Sequence, residues 1–372
     1  MNRLLHTPEG VRDIYNNECA RKLRLQSDLH EVLAGYGYSD IETPTFEYSD
    51  VFSRDVGSIE SRELYKFFDR DGNTLVLRPD MTPSIARVVS RYFSEEEQVI
   101  RLCYEGNTFI NNSSYQGRLK ENTQIGAELI GSDSAEADAE VIAMVVDCLK
   151  KAGLDEFLIS VGQVKYFRSI LKELKIDEET EEELRDFISN RNIFGVEQLL
   201  SKAGLPEKVH QVLTALPNLY GSVEVLDRAE KLAVNEDGRA AVQRLREIYE
   251  ILEDYGVTQY ISFDFSMLSR YHYYTGVFFR GYTFGTGDAV VKGGRYDHLL
   301  QHFGKDAPSI GFAAVIDPLL LALERQKIPA KAEPELTELT VTSDNRREII
   351  RQACELRAEG KRVKLIYSKE EA

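Results

Sequence analysis

The sequence is poor in positive charge, in cysteine and in uninterrupted apolar stretches, and each shortage closes off a class of function. Lys and Arg number 46 against 62 Asp and Glu, a formal charge of −16. Such a field repels polyanions, which disfavours nucleic acid and anionic membrane surfaces as partners, although a local basic groove can survive on an acidic protein. Cys19, Cys103, Cys148 and Cys354 are scattered with no CxxC pair. That spacing argues against a disulfide scaffold and a zinc knuckle and for reduced thiols. The most apolar late stretch, Ile310 to Leu323, is broken by Asp317 and Pro318 and is too short to cross a bilayer. Met1 to Gly10 carries Pro8 and Glu9 and no apolar run, so no secretory signal is expected and the cytoplasm is. Walker A, GxSxG and HExxH patterns are also missing.

What is present is the balance of a globular protein, with 42% hydrophobic, 10% aromatic and 29% charged residues in 372. The length suits two domains, or one large domain with an appendage. Glu18 to Leu33 places leucines at helical spacing among charges and meets Gly35 and Gly37, which predicts an amphipathic helix. Ser39 to Glu47 alternates as a strand, with Pro44 suited to a sheet edge or an interface. Leu64 to Asp69 and Thr74 to Leu77 read as a hairpin around Arg70-Asp71-Gly72-Asn73. Thr82 is expected to cap, and Pro83 to open, a helix through about Tyr92. Val99 to Tyr104, continuing raggedly to Ile110, and Thr123 to Ile130 read as strands around a long polar loop, a kind that is usually functional or mobile.

A helix over Ala135 to Lys151 and a strand over Phe157 to Val161 follow, then an almost wholly helical insertion over about 166–253. Strands are expected at Thr258 to Phe265, Tyr271 to Tyr282 and Ala289 to Lys292, and a helix near Asp317 to Gln326. This sets a main body over 1–328 and a segment over 329–372, made of a linker and one β-α-β unit (Leu336 to Val341, Asn345 to Glu359, Val363 to Tyr367). The segment is too short to bury a core of its own.

Three polar patterns stand out. Leu77-Arg78-Pro79-Asp80-Met81-Thr82-Pro83 lies between a strand and a helix start, where a carboxylate and a hydroxyl beside free N–H groups suit either a capped turn or an amino-acid site. Period-2 geometry puts Gln124, Gly126 and Glu128 on one strand face, either a pocket floor with room above the glycine or a solvated surface. Tyr271-His272-Tyr273-Tyr274-Thr275-Gly276 is followed by Gly285-Thr286-Gly287-Asp288, read as a hairpin turn, and by Gly293-Gly294-Arg295-Tyr296-Asp297. His298 and His302 stand four apart without a third metal ligand, and no metal site is expected. The residues by themselves point to a polar pocket on an antiparallel sheet for a small amino-bearing ligand.

Taken in order, Thr7-Pro8-Glu9-Gly10-Val11-Arg12-Asp13 through Gly311-Phe312-Ala313 resemble the catalytic domain of histidyl-tRNA synthetase. Gly37 to Pro44 is similar to motif 1 of class II synthetases, whose proline lies at a dimer interface; Leu102 to Gly131 is similar to motif 2, Tyr271 to Gly276 to the histidine-specific strand, and Ser309 to Asp317 to motif 3. The resemblance implies an α+β fold, a six- or seven-stranded antiparallel sheet flanked by helices, and a homodimer. It departs where the family places arginines, since Ile110, Ser269 and Pro318 occupy those positions. Adenylate formation needs fixed cations around the α-phosphate. At about 1.5–3 kcal/mol per charge-assisted bond, losing them forfeits on the order of 4–9 kcal/mol, roughly a thousand- to a millionfold in rate. Synthetase chemistry is therefore expected to be absent.

The amino-acid cradle survives in outline. By the resemblance, Asp80, Thr82 and Gln124 hold the α-amino end of histidine, and Glu128, Tyr273 and Tyr274 surround the imidazole. Arg118 and Lys120 are candidates for the carboxylate or for loop contacts. Together with Leu-Arg-Pro-Asp-Met-Thr-Pro and Tyr-His-Tyr-Tyr-Thr-Gly, these departures resemble the ATP phosphoribosyltransferase regulatory subunits, non-catalytic relatives of histidyl-tRNA synthetase. That resemblance implies no cofactor, a short-form phosphoribosyltransferase catalytic subunit as partner, and L-histidine as feedback ligand. The alternatives are a working histidyl-tRNA synthetase and a synthetase-derived histidine-binding module.

Overall fold

The computed structural model describes residues 3–53, 59–94, 98–112, 119–174, 176–201, 206–268, 273–329 and 335–367. Leucine spacing makes α1 (Asn16–Gly35) amphipathic, and Leu25, Leu29 and Leu33 are its buried stripe. Gly37, at φ 81°, turns the chain into β1 (Ser39–Asp40). The expected strand over Ser39 to Glu47 is not continuous. The chain leaves the sheet after Asp40 and resumes as β2 (Phe46–Tyr48) in a separate sheet with β3 (Lys66–Phe68) and β4 (Thr74–Leu77). The buried Arg78 guanidinium fixes the break by donating to the carbonyls of Thr43 at 2.7 Å, Pro44 at 3.2 Å and Asn107 at 2.8 Å. The β3–β4 hairpin forms as read, with Gly72 at φ 85° and the Asp69 carboxylate accepting from the Asp71 and Asn73 amides.

The helix α2 (Thr82–Tyr92) corrects one expectation, since Met81 is its N-cap and the Thr82 side chain does not cap it. Beyond it come β5 (Ile100–Phe109), β6 (Glu121–Ile130), α3 (Ala135–Lys151) and β7 (Phe157–Gln163). The insertion contains α4 (Val164–Leu171), α5 (Glu178–Ser189), α6 (Ile193–Leu200), α7 (Glu207–Ala215), a short β8 (Tyr220–Gly221), α8 (Val225–Leu232) and α9 (Glu236–Asp254). The chain then returns through β9 (Ile261–Asp264), β10 (Val277–Thr283), β11 (Val291–Arg295), β12 (Ser309–Val315) and α10 (Ile316–Arg325). Periodicity alone missed β12, whose alanines and glycines carry no clear two-residue alternation.

Nine described strands form one sheet in the order β1-β5-β6-β12-β11-β10-β7-β9-β8. Its centre, β5 to β7 in that order, is antiparallel throughout, and the parallel pairs β1–β5 and β7–β9 widen it beyond the six or seven strands expected. The two faces are covered differently. Cys103, Ile125, Ala127 and Leu129 pack with α1, α3 and the insertion in one core. Leu102, Tyr104 and Ile130 face α2 with Met81, Ile85, Val89, Phe278 and Tyr296 in another. Alternation along β5 and β6 thus separates a packed face from the face that carries the polar cluster.

A buried ion cluster joins these parts. Arg295 donates to Asp138 Oδ1 at 2.6 Å and to Asp297 at 3.0 Å, and Arg244 of α9 donates to Asp138 Oδ2 at 2.9 Å. The second unit, from Pro329 onward, contains β13 (Leu336–Val341), α11 (Arg346–Ala358) and β14 (Arg362–Tyr367), with the two strands parallel.

Breaking the ion cluster leaves a buried guanidinium short of its partner. Asp138→Ala is expected to cost about 3–5 kcal/mol of stability in denaturant unfolding, whereas Lys364→Ala, at an exposed pair with Glu338, should cost below about 1 kcal/mol.

Candidate functional site

The polar cluster is assembled by register. Glu128 on β6 pairs with Leu102 on one side and Gly311 on the other, and its carboxyl is buried. A Cβ on Gly311 would overlap Glu128 Oε2, so a glycine is required opposite the carboxyl. Gly126 serves a different purpose from the one expected. The space above it is filled by the Tyr104 hydroxyl, 2.5 Å from where its Cβ would stand, and by the Phe312 carbonyl. Tyr104 is therefore the floor between Gln124 and Glu128.

Both Glu128 oxygens are occupied. The Thr82 hydroxyl donates to Oε1 at 2.9 Å, and the Tyr296 hydroxyl donates to Oε2. Thr82 is thus recruited from helix capping to the buried acid. Asp80 receives the Thr82 amide at 3.2 Å on Oδ1 and the Tyr273 hydroxyl at 3.2 Å on Oδ2. The two groups implied by the resemblance consequently interlock as one network, with Thr82 on Glu128 and Tyr273 on Asp80. Tyr273 meets Tyr274 edge-on at 5.0 Å and Tyr296 at 6.0 Å between ring centres, forming an aromatic wall.

Burial, reinforced by the nearby Asp80 charge, pushes the Glu128 carboxyl up to about 8 against the hydroxyl bonds that favour ionisation. Near neutral pH it is held mainly as the neutral acid. In the sequence Tyr296 stands out only within Gly293-Gly294-Arg295-Tyr296-Asp297. Its place is fixed by its neighbours, because Arg295 and Asp297 belong to the buried ion cluster and the Tyr296 amide donates to Ser309 at 2.7 Å. The signal was the pair of glycines before it, which make room for Phe278, Phe279 and Tyr274.

Asp80, Thr82, Gln124, Glu128, Tyr273, Tyr274 and Tyr296 line one cavity of about 820 Å³. Gln124 Oε1 is buried without a hydrogen-bond partner. Ile110 and Pro318 also line the cavity, while Ser269 and Arg118 lie outside the described residues, as do Arg270, Tyr271 and His272. Lys120 is not part of the lining. Its side chain packs on Gly10, and its amide donates to the Gly10 carbonyl at 2.7 Å.

Arg12, Arg21, Lys292 and Arg325 also line the cavity. Arg12 is paired with Glu18 and with Asp317, the latter at 3.3 Å. Lys292 stands 3.5 Å from Asp288, and Arg325 donates to the Gly285 carbonyl at 2.8 Å. Among the described residues, three of these four cations are thus already engaged by the protein. Thr286, Gly287 and Asp288 line the rim in the turn between the paired strands β10 and β11, a hairpin as the sequence suggested.

Two outcomes test this geometry. From about 4.5 up to about 8 the folded chain keeps a proton on Glu128 that the unfolded chain has lost, so its contribution to stability declines as pH rises through that window. Unfolding midpoints of Glu128→Gln measured from pH about 5 to about 9 should fall less than those of the unsubstituted chain. Gly311→Ala should cost about 1–3 kcal/mol or more through overpacking, read by denaturant unfolding.

The histidyl-tRNA synthetase family model matches residues 10–319. A curated relative from Acetivibrio thermocellus, named ATP phosphoribosyltransferase regulatory subunit, is 40% identical over 97% of this chain and 86% of its own length. A solved structure from Bacillus halodurans, described as an ATP phosphoribosyltransferase regulatory subunit/histidyl-tRNA synthetase, is 34% identical with a TM-score of 0.88, covering 98% of this chain and 93% of that one. The histidyl-tRNA synthetase of Nostoc sp. PCC 7120, 20% identical, shares the fold with a TM-score of 0.82 over 99% of this chain and 87% of that one. The shared fold and an identity of 40% over 97% of the chain place it in the ATP phosphoribosyltransferase regulatory subunit family, on the histidyl-tRNA synthetase fold.

Proposed function

We propose that this chain is a non-catalytic subunit that assembles, as a cytoplasmic homodimer through its motif 1-like region, with a short-form ATP phosphoribosyltransferase. In this reading it is required for the first step of histidine biosynthesis and reports histidine to that enzyme. The observation that carries the proposal is a contrast within one cavity. The buried acid–hydroxyl network is intact, while Ile110 and Pro318 stand where the synthetase family places arginines, and two of the four cations lining the cavity, Arg12 and Lys292, are paired with carboxylates.

The ligand chemistry follows from those groups. Asp80 and the unpartnered Gln124 Oε1 accept from the α-ammonium group. Glu128, buried between Thr82 and Tyr296, meets one imidazole nitrogen with a proton that either partner can hold, and Tyr273 and Tyr274 enclose the ring. Activation of the amino acid would need cations converging on a phosphate, and two of the four that line this cavity, Arg12 and Lys292, are instead paired with carboxylates. For the binding to regulate, histidine must favour one state of the assembly over another, with a coupling of about 1–3 kcal/mol typical.

Calorimetry of histidine on Glu128→Ala and Tyr274→Phe should show binding weakened about tenfold to a hundredfold, with assembly on the catalytic subunit unchanged by size-exclusion chromatography. Unchanged affinity in both variants would remove the site assignment. ATP–pyrophosphate exchange should stay at background with histidine present; exchange above it would establish a working synthetase instead.

A further inference from the structure

On the opposite face of the sheet from Glu128, three side chains of metal-binding type converge. His30 projects from α1, Asp40 from β1 and Cys103 from β5, and one donor atom from each lies within 4.8 Å of the others. We propose that His30, Asp40 and Cys103 bind a divalent zinc ion, with water as the fourth ligand.

The convergence is built by the fold. Asp40 and Cys103 are register partners across the parallel β1–β5 pair. The turn at Gly37 folds the end of α1 back along that edge and brings His30 to Asp40. His30 Nε2 lies 2.6 Å from Asp40 Oδ1, and Cys103 Sγ lies 3.5 Å from the same oxygen. In tetrahedral zinc, bond lengths of about 2.0–2.3 Å set ligand atoms about 3.3–3.6 Å apart. The sulfur–oxygen separation already has that value, and the nitrogen–oxygen contact has to open by about 0.7 Å. Within a single chain the Asp40 side chain is 75% exposed and that of His30 43%, and no contact of that chain's described residues blocks the adjustment.

The donor set selects the ion. A thiolate, an imidazole and a carboxylate form a mixed set that favours zinc or cobalt over calcium or magnesium, which require oxygen donors. Within one chain Cys103 is the inner wall of the site, and His30 and Asp40 form its outer side. Binding replaces the sulfur–hydrogen bond by a sulfur–zinc bond and releases that proton to solvent. It also ties three elements together, so the bound ion stabilises the folded state. A plain surface ion pair between His30 and Asp40 beside a packed thiol is the competing account, and it predicts no metal dependence.

The test uses the full chain stripped by chelator and then titrated with zinc against a chromophoric competitor. One ion should bind per chain, and the thermal midpoint should rise with zinc. His30→Ala, an exposed position expected to fold normally, should weaken binding about tenfold or more, as should Cys103→Ser. Cobalt in place of zinc should give a thiolate-to-metal charge-transfer band in the unsubstituted chain that Cys103→Ser lacks. Absence of stoichiometric binding, or equal binding in the His30→Ala chain, would overturn the proposal. A charge-transfer band that persists in Cys103→Ser would do the same by assigning the ion to another cysteine.

Discussion

A carboxyl group placed inside a sheet has to be held by something other than water, and the centre of this protein is organised around that requirement at Glu128. An unsatisfied acid at such depth would cost several kcal/mol, on the order of the penalty for any buried polar group left alone. The chain meets the cost with hydroxyls from two directions, Thr82 at the start of α2 and Tyr296 just beyond β11. Space for the carboxyl is left by Gly311, and the adjoining floor is closed by Tyr104 over Gly126. Altering any of these changes the pocket's shape and the proton held in it at once.

The position of the Tyr296 hydroxyl is set in turn by more distant contacts. Tyr296 is clamped between Arg295 and Asp297, whose ion cluster runs through Asp138 on α3 to Arg244 on α9 of the helical insertion. Thr275, beside Tyr274, joins the same cluster by donating to Asp297 at 2.8 Å. A contiguous set of charged contacts therefore links the aromatic wall to the insertion. Under the proposed function this gives ligand-dependent changes at the pocket a physical route to a distant surface, provided the cluster has two arrangements of differing ligand affinity.

Much of this was legible in the chain itself. Helix α3 was readable because its apolar residues repeat at helical spacing, and the structure adds Ser134 as its cap, accepting from the Ala137 amide. The hairpin at Gly72 and the common face of Gln124 and Glu128 followed from local geometry. What stayed hidden depended on contacts distant in sequence. The Ser39 to Glu47 strand breaks because Arg78 captures the intervening carbonyls. Thr82 looks like a cap until a carboxyl 46 residues away takes its hydroxyl. Tyr296 and the trio of His30, Asp40 and Cys103 have no spacing to betray them, since register joins only Asp40 to Cys103 and contacts distant in sequence place the others. Family resemblance supplied the likeness to a histidine cradle, and the residues could speak only of a polar pocket.

The proposed function, a histidine-sensing pocket without the cations for adenylate chemistry, has its decisive consequence in the activity of another protein. Phosphoribosyltransferase activity of the short-form catalytic subunit can be followed over a histidine titration without this chain, with it, and with its Glu128→Ala variant. The account predicts little activity alone, activation by both forms, and inhibition by histidine shifted to higher concentration with the variant. Full activity of the catalytic subunit alone, or the same histidine response with both forms, would contradict it.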